Sequence, residues 1–153
     1  MKKILTLISI LIVTSIAFIS LKYLENNNNS KIPTAIINNH TFKLDLAKTQ
    51  QEKAIGLSKK DMLEKNAGML FMFEKPSNLS FWMKDMKFPI DIIFIKNNRI
   101  VTIHKNVMPP GNSNDMLPTY SSKQPADTVL EINAGLSEKY NFKENDLVRL
   151  DNI

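Results

Sequence analysis

The sequence has no cysteine. Disulfides, thiolate metal centres, cysteine nucleophiles and a lipid-modified cysteine are thereby excluded. Glycine is scarce, with four in 153 residues. No glycine-rich loop exists to cradle a phosphate, and no G-x-S-x-G elbow raises a serine nucleophile. Only two basic residues are arginines, Arg99 and Arg149. Without a guanidinium cluster to fork phosphates, nucleic acid is not an expected partner. The two histidines, His40 and His104, have no second ligand at metal spacing, so neither a metal nor a cofactor is expected.

One long apolar run is present. After Met1-Lys2-Lys3, residues 4–21 read ILTLISILIVTSIAFISL, without a charge. As a helix the run would be roughly 27 Å long, close to the roughly 30 Å of a bilayer core. Lys2 and Lys3 before it keep the N-terminus cytoplasmic and send the rest across. Residues 1–23 are therefore expected to be a signal peptide or an uncleaved signal anchor. Ser15-Ile16-Ala17 offers a cleavage site near Ala17, which would release a secreted domain. Phe18, Ile19 and Leu21 prolong the run beyond it and favour the anchor. The expected location is the membrane, with the domain in the periplasm or at the cell exterior.

Residues 24–31, LENNNNSK, form a polar, low-complexity linker. The domain proper then occupies 32–153. Lys2, Lys3 and Lys22 account for three of the formal charge of +5, leaving +2 for the remainder. That is too little for strong electrostatic steering. A monomer is expected.

The domain is patterned as short strands. Ala35-Ile36-Ile37, an Asn38-Asn39 turn and the alternation of Phe42, Leu44 and Leu46 predict a hairpin over 34–46. Thr49 and Glu52 have capping-box spacing, which starts a short helix ending near Gly56. Further strands are predicted at 68–73, 79–84, 90–95, 99–106, 128–132 and 146–150, with a turn over 74–78 and a helical turn over 136–140. The segment 108–126, with four prolines, reads as a long irregular loop. The fold class is mainly β, most simply a small closed or nearly closed barrel with one or two short helices. A parallel sheet is disfavoured, because no crossover helix of ordinary length separates the strands.

Several ordered pieces resemble one family. They are Thr49…Glu52…Gly56-Leu57, Gly68-Met69-Leu70-Phe71, Phe81-Trp82-Met83-Lys84, Pro89-Ile90-Asp91-Ile92-Ile93-Phe94, Val129-Leu130-Glu131 and Ala134-Gly135. In order and spacing they resemble the domain of unknown function 192, found in small bacterial and archaeal proteins that often carry an export signal. The resemblance implies a β-rich exported domain and no established activity. The chain departs from the family pattern at Asp85-Met86, where Asn-Thr is usual. It departs again at Ser58-Lys59-Lys60, where Met and a basic residue usually follow Gly-Leu, and at Asn145, where Gly is usual.

Four residues are candidates for a binding surface: Trp82, Lys84, Asp91 and Glu131. Asp91 and Glu131 each interrupt an apolar strand, where a carboxylate is costly unless paired or hydrogen-bonded. Each is either a ligand-facing acid or a structural acid. Trp82 is either a stacking platform or core, and Lys84 lies on its face if both are in a strand. The leading reading is an exported, membrane-tethered accessory domain that binds an unknown envelope ligand or protein. The alternative is an envelope-polymer hydrolase or lyase with Asp91 and Glu131 as acid and base. A third reading is weak copper(I) handling by Met108 and Met116 near His104. Met69/Met72 and Met83/Met86 would point to opposite faces of their strands and could not chelate together.

Overall fold

The structure, a computed structural model, describes residues 12–22, 32–111 and 117–153. The chain divides into two units, Met1–Ile32 and Pro33–Ile153. In the first, residues 12–22 are helical. Among the described residues no helix is long and apolar enough to cross a membrane. Residues 4–11 of the apolar run and the whole of the 24–31 linker lie outside the described residues.

The second unit is mainly β. Its elements in chain order are β1 (Thr34–Ile37), β2 (His40–Ala47), α1 (Gln50–Ile55), β3 (Ala67–Ser77), β4 (Ser80–Trp82), β5 (Ile90–Lys96), β6 (Arg99–Val107), β7 (Thr119–Ser121), β8 (Ala126–Asn133), α2 (Leu136–Lys139) and β9 (Val148–Asp151). Asparagine does the work of the missing glycines. Every described non-glycine residue with positive φ is Asn, except Asp85. Asn38-Asn39 and Asn97-Asn98 turn the β1–β2 and β5–β6 hairpins with both central residues left-handed, as tight hairpins require. Asp85 (φ 58°) and Asn145 (φ 74°) occupy two of the positions where the family pattern differs. Both are left-handed turn sites that Asn, Asp or Gly can fill.

Seven strands form one curled sheet, a half-barrel in the order β6-β5-β8-β3-β2-β1-β9. Its outermost strands approach each other at an Arg99–Leu147 bridge, with Val148 N–H donating to the Asn98 carbonyl at 2.8 Å. All neighbouring pairs are antiparallel except β2–β3, which is parallel. That pair differs from the expectation of no crossover. The link from Lys48 to Asn66 achieves it with a helix of six residues and a loop. Strand β3 also runs through the stretch expected as a turn. Its register shifts between Met72 and Ser77, so Pro76 sits where the ladder is interrupted and no N–H donor is needed. Within the expected 108–126 loop, Thr119–Ser121 forms β7 and pairs with β4 as a separate two-stranded ribbon.

The pleat divides the core in two. Leu70, Ile93, Ile95, Leu130, Ile132, Phe42, Phe142 and Val148 fill one face, with contributions from all seven strands of the curl. Phe71, Ile90, Ile92, Phe94 and Val129 point the other way, against Leu57, Leu63, Leu79 and Met83. At Gly68 a Cβ would stand 2.8 Å from the Glu131 carbonyl oxygen. Only glycine lets β3 and β8 approach this closely.

Candidate functional site

The second apolar layer is incomplete where the start of α1 faces β4. The capping box is formed there. The Glu52 backbone N–H donates to Thr49 Oγ1 at 3.2 Å, and Glu52 Oε2 accepts from the Thr49 N–H at 2.8 Å. Those bonds and the Lys48 N–H hold the Glu52 carboxyl below its ordinary range. With its start fixed, the helix projects Gln50 and Lys53 over the sheet. Gly56 (φ 51°) ends it and brings the chain against Phe71.

Between α1, β3, β4 and β8 lies a cleft of about 250 Å³. Its apolar wall is a group of aromatic rings. Phe71 and Phe81 meet edge to face at 5.0 Å, and Phe73 and Phe81 at 6.4 Å. Trp82, Lys84 and Met86 contribute further lining, as do Ser80 and Gln50. Lys53 Nζ sits 4.4 Å from the Phe73 ring centre, and Lys84 Nζ 5.7 Å from that of Trp82. Trp82 is 57 % exposed, so it is a rim residue and not part of the core.

Glu131 is the unusual member of the lining. It stands mid-sheet on β8, opposite Ile92 of β5 and Met69 of β3. The residue is 5 % exposed. Among the described residues its carboxyl has no hydrogen-bond or ion-pair partner. Burial alone pushes its pKa from an ordinary 4.5 up to about 8. At neutral pH the group is therefore a carboxylic acid, able to donate a hydrogen bond as well as accept one.

Asp91 lies elsewhere. It pairs with Ile132, whereas Glu131 pairs with Ile92. Adjacent residues alternate across a sheet, so the two acids occupy opposite faces. Asp91 is fully buried. Its carboxylate accepts from the backbone N–H groups of Asn106 at 2.8 Å, Gly135 at 3.0 Å and Ser137 at 2.7 Å. It thereby ties β5 to β6 and satisfies the start of α2. The acid–base pair of Asp91 and Glu131 expected for a hydrolase or lyase is not assembled. His104 Nε2 is 2.9 Å from the Ser121 carbonyl oxygen, joining β6 to β7. Met108 is exposed, and Met116 lies outside the described residues.

Three of the four candidates, Trp82, Lys84 and Glu131, thus meet at one cleft, and Asp91 does not. Lys53 and Phe73 belong to the cleft but were not singled out from sequence. Lys53 is one of many lysines in the chain and sits on a short helix, QQEKAI. Its role depends on which face the helix presents to β3, and six residues give no periodicity from which to read that.

The model of one family, described as uncharacterized ACR and designated DUF192, matches residues 33–150. The chain belongs to the DUF192 family. Two solved structures share the DUF192 fold with it. One is a protein of unknown function from Novosphingobium aromaticivorans DSM 12444, with 31 % identity over 77 % of this chain and 83 % of that one, at a TM-score of 0.68. The other is a proposed transcription regulator from Sinorhizobium meliloti 1021, with 26 % identity over 79 % and 93 % of the two chains, at a TM-score of 0.69. A comparison with curated proteins finds no match.

Proposed function

We propose that this DUF192 chain is an exported, membrane-tethered binding domain at the cell envelope, and that the Glu131 cleft is where its ligand sits. The observation that carries the reading is the carboxyl of Glu131, a residue only 5 % exposed that lines an open cleft and has no protein partner among the described residues. Such a group costs stability unless something hydrogen-bonds to it. Exposed Trp82 at the rim supplies a stacking surface. The cleft is smaller than the roughly 300–1,000 Å³ sites that enclose whole drug-sized ligands. It suits a small molecule or one residue or ring of a larger one.

Export and tethering rest on the charge-free run from Ile4 to Leu21 behind Lys2 and Lys3. Within it, the Ser15 and Ser20 hydroxyls donate to the Ile12 and Ala17 carbonyls, each at 2.9 Å. Local bonding of this kind makes hydroxyls tolerable in lipid. The domain is read as a monomeric, nearly closed barrel, its edges joined at Arg99 and Leu147. The alternative of a hydrolase or lyase with Asp91 and Glu131 as acid and base is disfavoured because the two acids lie on opposite faces of the sheet.

Thermal-shift screening of the full-length chain against envelope-derived small molecules tests the binding reading. A true ligand raises the melting temperature of the wild type and raises it less in Glu131→Ala. Equal shifts in both would remove the cleft from consideration. Protease added to intact spheroplasts should digest the domain, and full protection would refute export.

A further inference from the structure

We infer that the cleft takes a small organic anion with a flat or short apolar body, its charge held by Lys53 and Lys84 and an uncharged acceptor atom turned to the Glu131 carboxyl. This deepens the binding reading and rests on it. The argument begins with the charges that face the cleft from each element around it. From α1 comes Lys53, and from the segment after β4 comes Lys84. The lining residues of β3, Phe71 and Phe73, are not ionisable, and β8 contributes Glu131 alone. Among the described residues no second acid lines the cleft.

Neither lysine forms an ion pair among the described residues; those pairs use Lys60, Lys87, Lys123 and Arg149. Lys53 and Lys84 instead rest over aromatic rings, with both ammonium groups left for an anion. Because burial keeps Glu131 protonated at neutral pH, the field in the cleft is positive. A cationic ligand would meet two ammonium groups and gain no carboxylate. An anion gains both lysines, and the acid proton supplies a hydrogen bond to a carbonyl or hydroxyl oxygen. Phe71, Phe81 and Trp82 then cover the apolar body. When pH rises through about 8, Glu131 ionises, ceases to donate and repels the anion, so binding weakens on the alkaline side.

The probes are N-acetyl-L-phenylalanine, its uncharged amide, and phenethylamine as the cation. Each is titrated calorimetrically into the full-length chain at near-neutral and alkaline pH. The acid should bind about tenfold more tightly than the amide, the usual scale of one charge-assisted hydrogen bond. Lys53→Met with Lys84→Met, which keeps the apolar stems, should abolish that preference. Glu131→Gln should retain binding at neutral pH and lose the alkaline weakening. Tighter binding of phenethylamine, strengthening as pH rises, would overturn the anion while leaving the cleft as a binding site. Binding of the acid unchanged in both variants would place it elsewhere and overturn the inference. Failure of all three probes to bind or shift the melting temperature would overturn the inference and count against the cleft itself.

Discussion

Replacing Glu131 with Gln should stabilise the domain, and increasingly so as pH rises. In the unfolded chain the Glu131 carboxyl loses its proton near pH 4.5, whereas in the folded domain it holds it to about pH 8. Below the first value both states are protonated and burial carries no electrostatic penalty. Between the two values only the folded state binds the proton, so unfolding becomes easier with each step in pH. One pH unit corresponds to about 1.4 kcal/mol. The window from 4.5 to about 8 therefore costs the wild type about 5 kcal/mol, all of it lost by the upper end. Gln is neutral throughout and similar in shape, so it escapes the loss. Glu52 and Asp61 do not blur the comparison. The Thr49 backbone N–H lowers Glu52 and Lys87 lowers Asp61, so their contributions are present at neutral pH and lost only as pH falls into the acid range. Urea denaturation of both proteins at pH intervals gives the difference directly. It should be near zero at the acid end of the window and reach on the order of 5 kcal/mol at the alkaline end. Parallel stability curves across the window would show that Glu131 is solvated or paired, and the account of the cleft would fail.

Asp91→Asn should destabilise by about 3 kcal/mol, because the three backbone N–H donors at Asn106, Gly135 and Ser137 lose a charged acceptor. Denaturant midpoints measure this, and probe binding at the cleft should survive in the protein that remains folded. Thr49→Ala removes the cap of α1 and should cost about 1 kcal/mol; it should also weaken anion binding, since Lys53 is held by that helix. Gly68→Ala forces a methyl against the Glu131 backbone carbonyl and should cost about 1–3 kcal/mol, seen as a lower melting temperature. A neutral result at Gly68 would mean that β3 and β8 can part without penalty.

Short-range patterns settled much of this domain. The two Asn-Asn hairpins, the capping box at Thr49 and Glu52, the fully buried β5 and the helical turn after Gly135 all depend on neighbours within a few residues. Each is legible because local sterics and local hydrogen bonds decide it. Chemical type also told which residues were unusual: Asp91 and Glu131 stand out as acids in apolar strands. What each acid does was not legible. The same residue type in the same kind of strand became a saturated structural anchor in one case and an unpartnered cleft acid in the other. The difference arises from the β5–β8 register, which puts them on opposite faces, and from α2 closing over one face while α1 and β4 leave a gap on the other. Contacts between residues tens of positions apart decide such matters, and a linear pattern of period two specifies alternation without saying which face is covered. The sequence alone thus determined most of the elements and the candidates, but not β7 or the full length of β3. Tertiary packing decided which candidate stays in water's reach with its hydrogen bonds unmade.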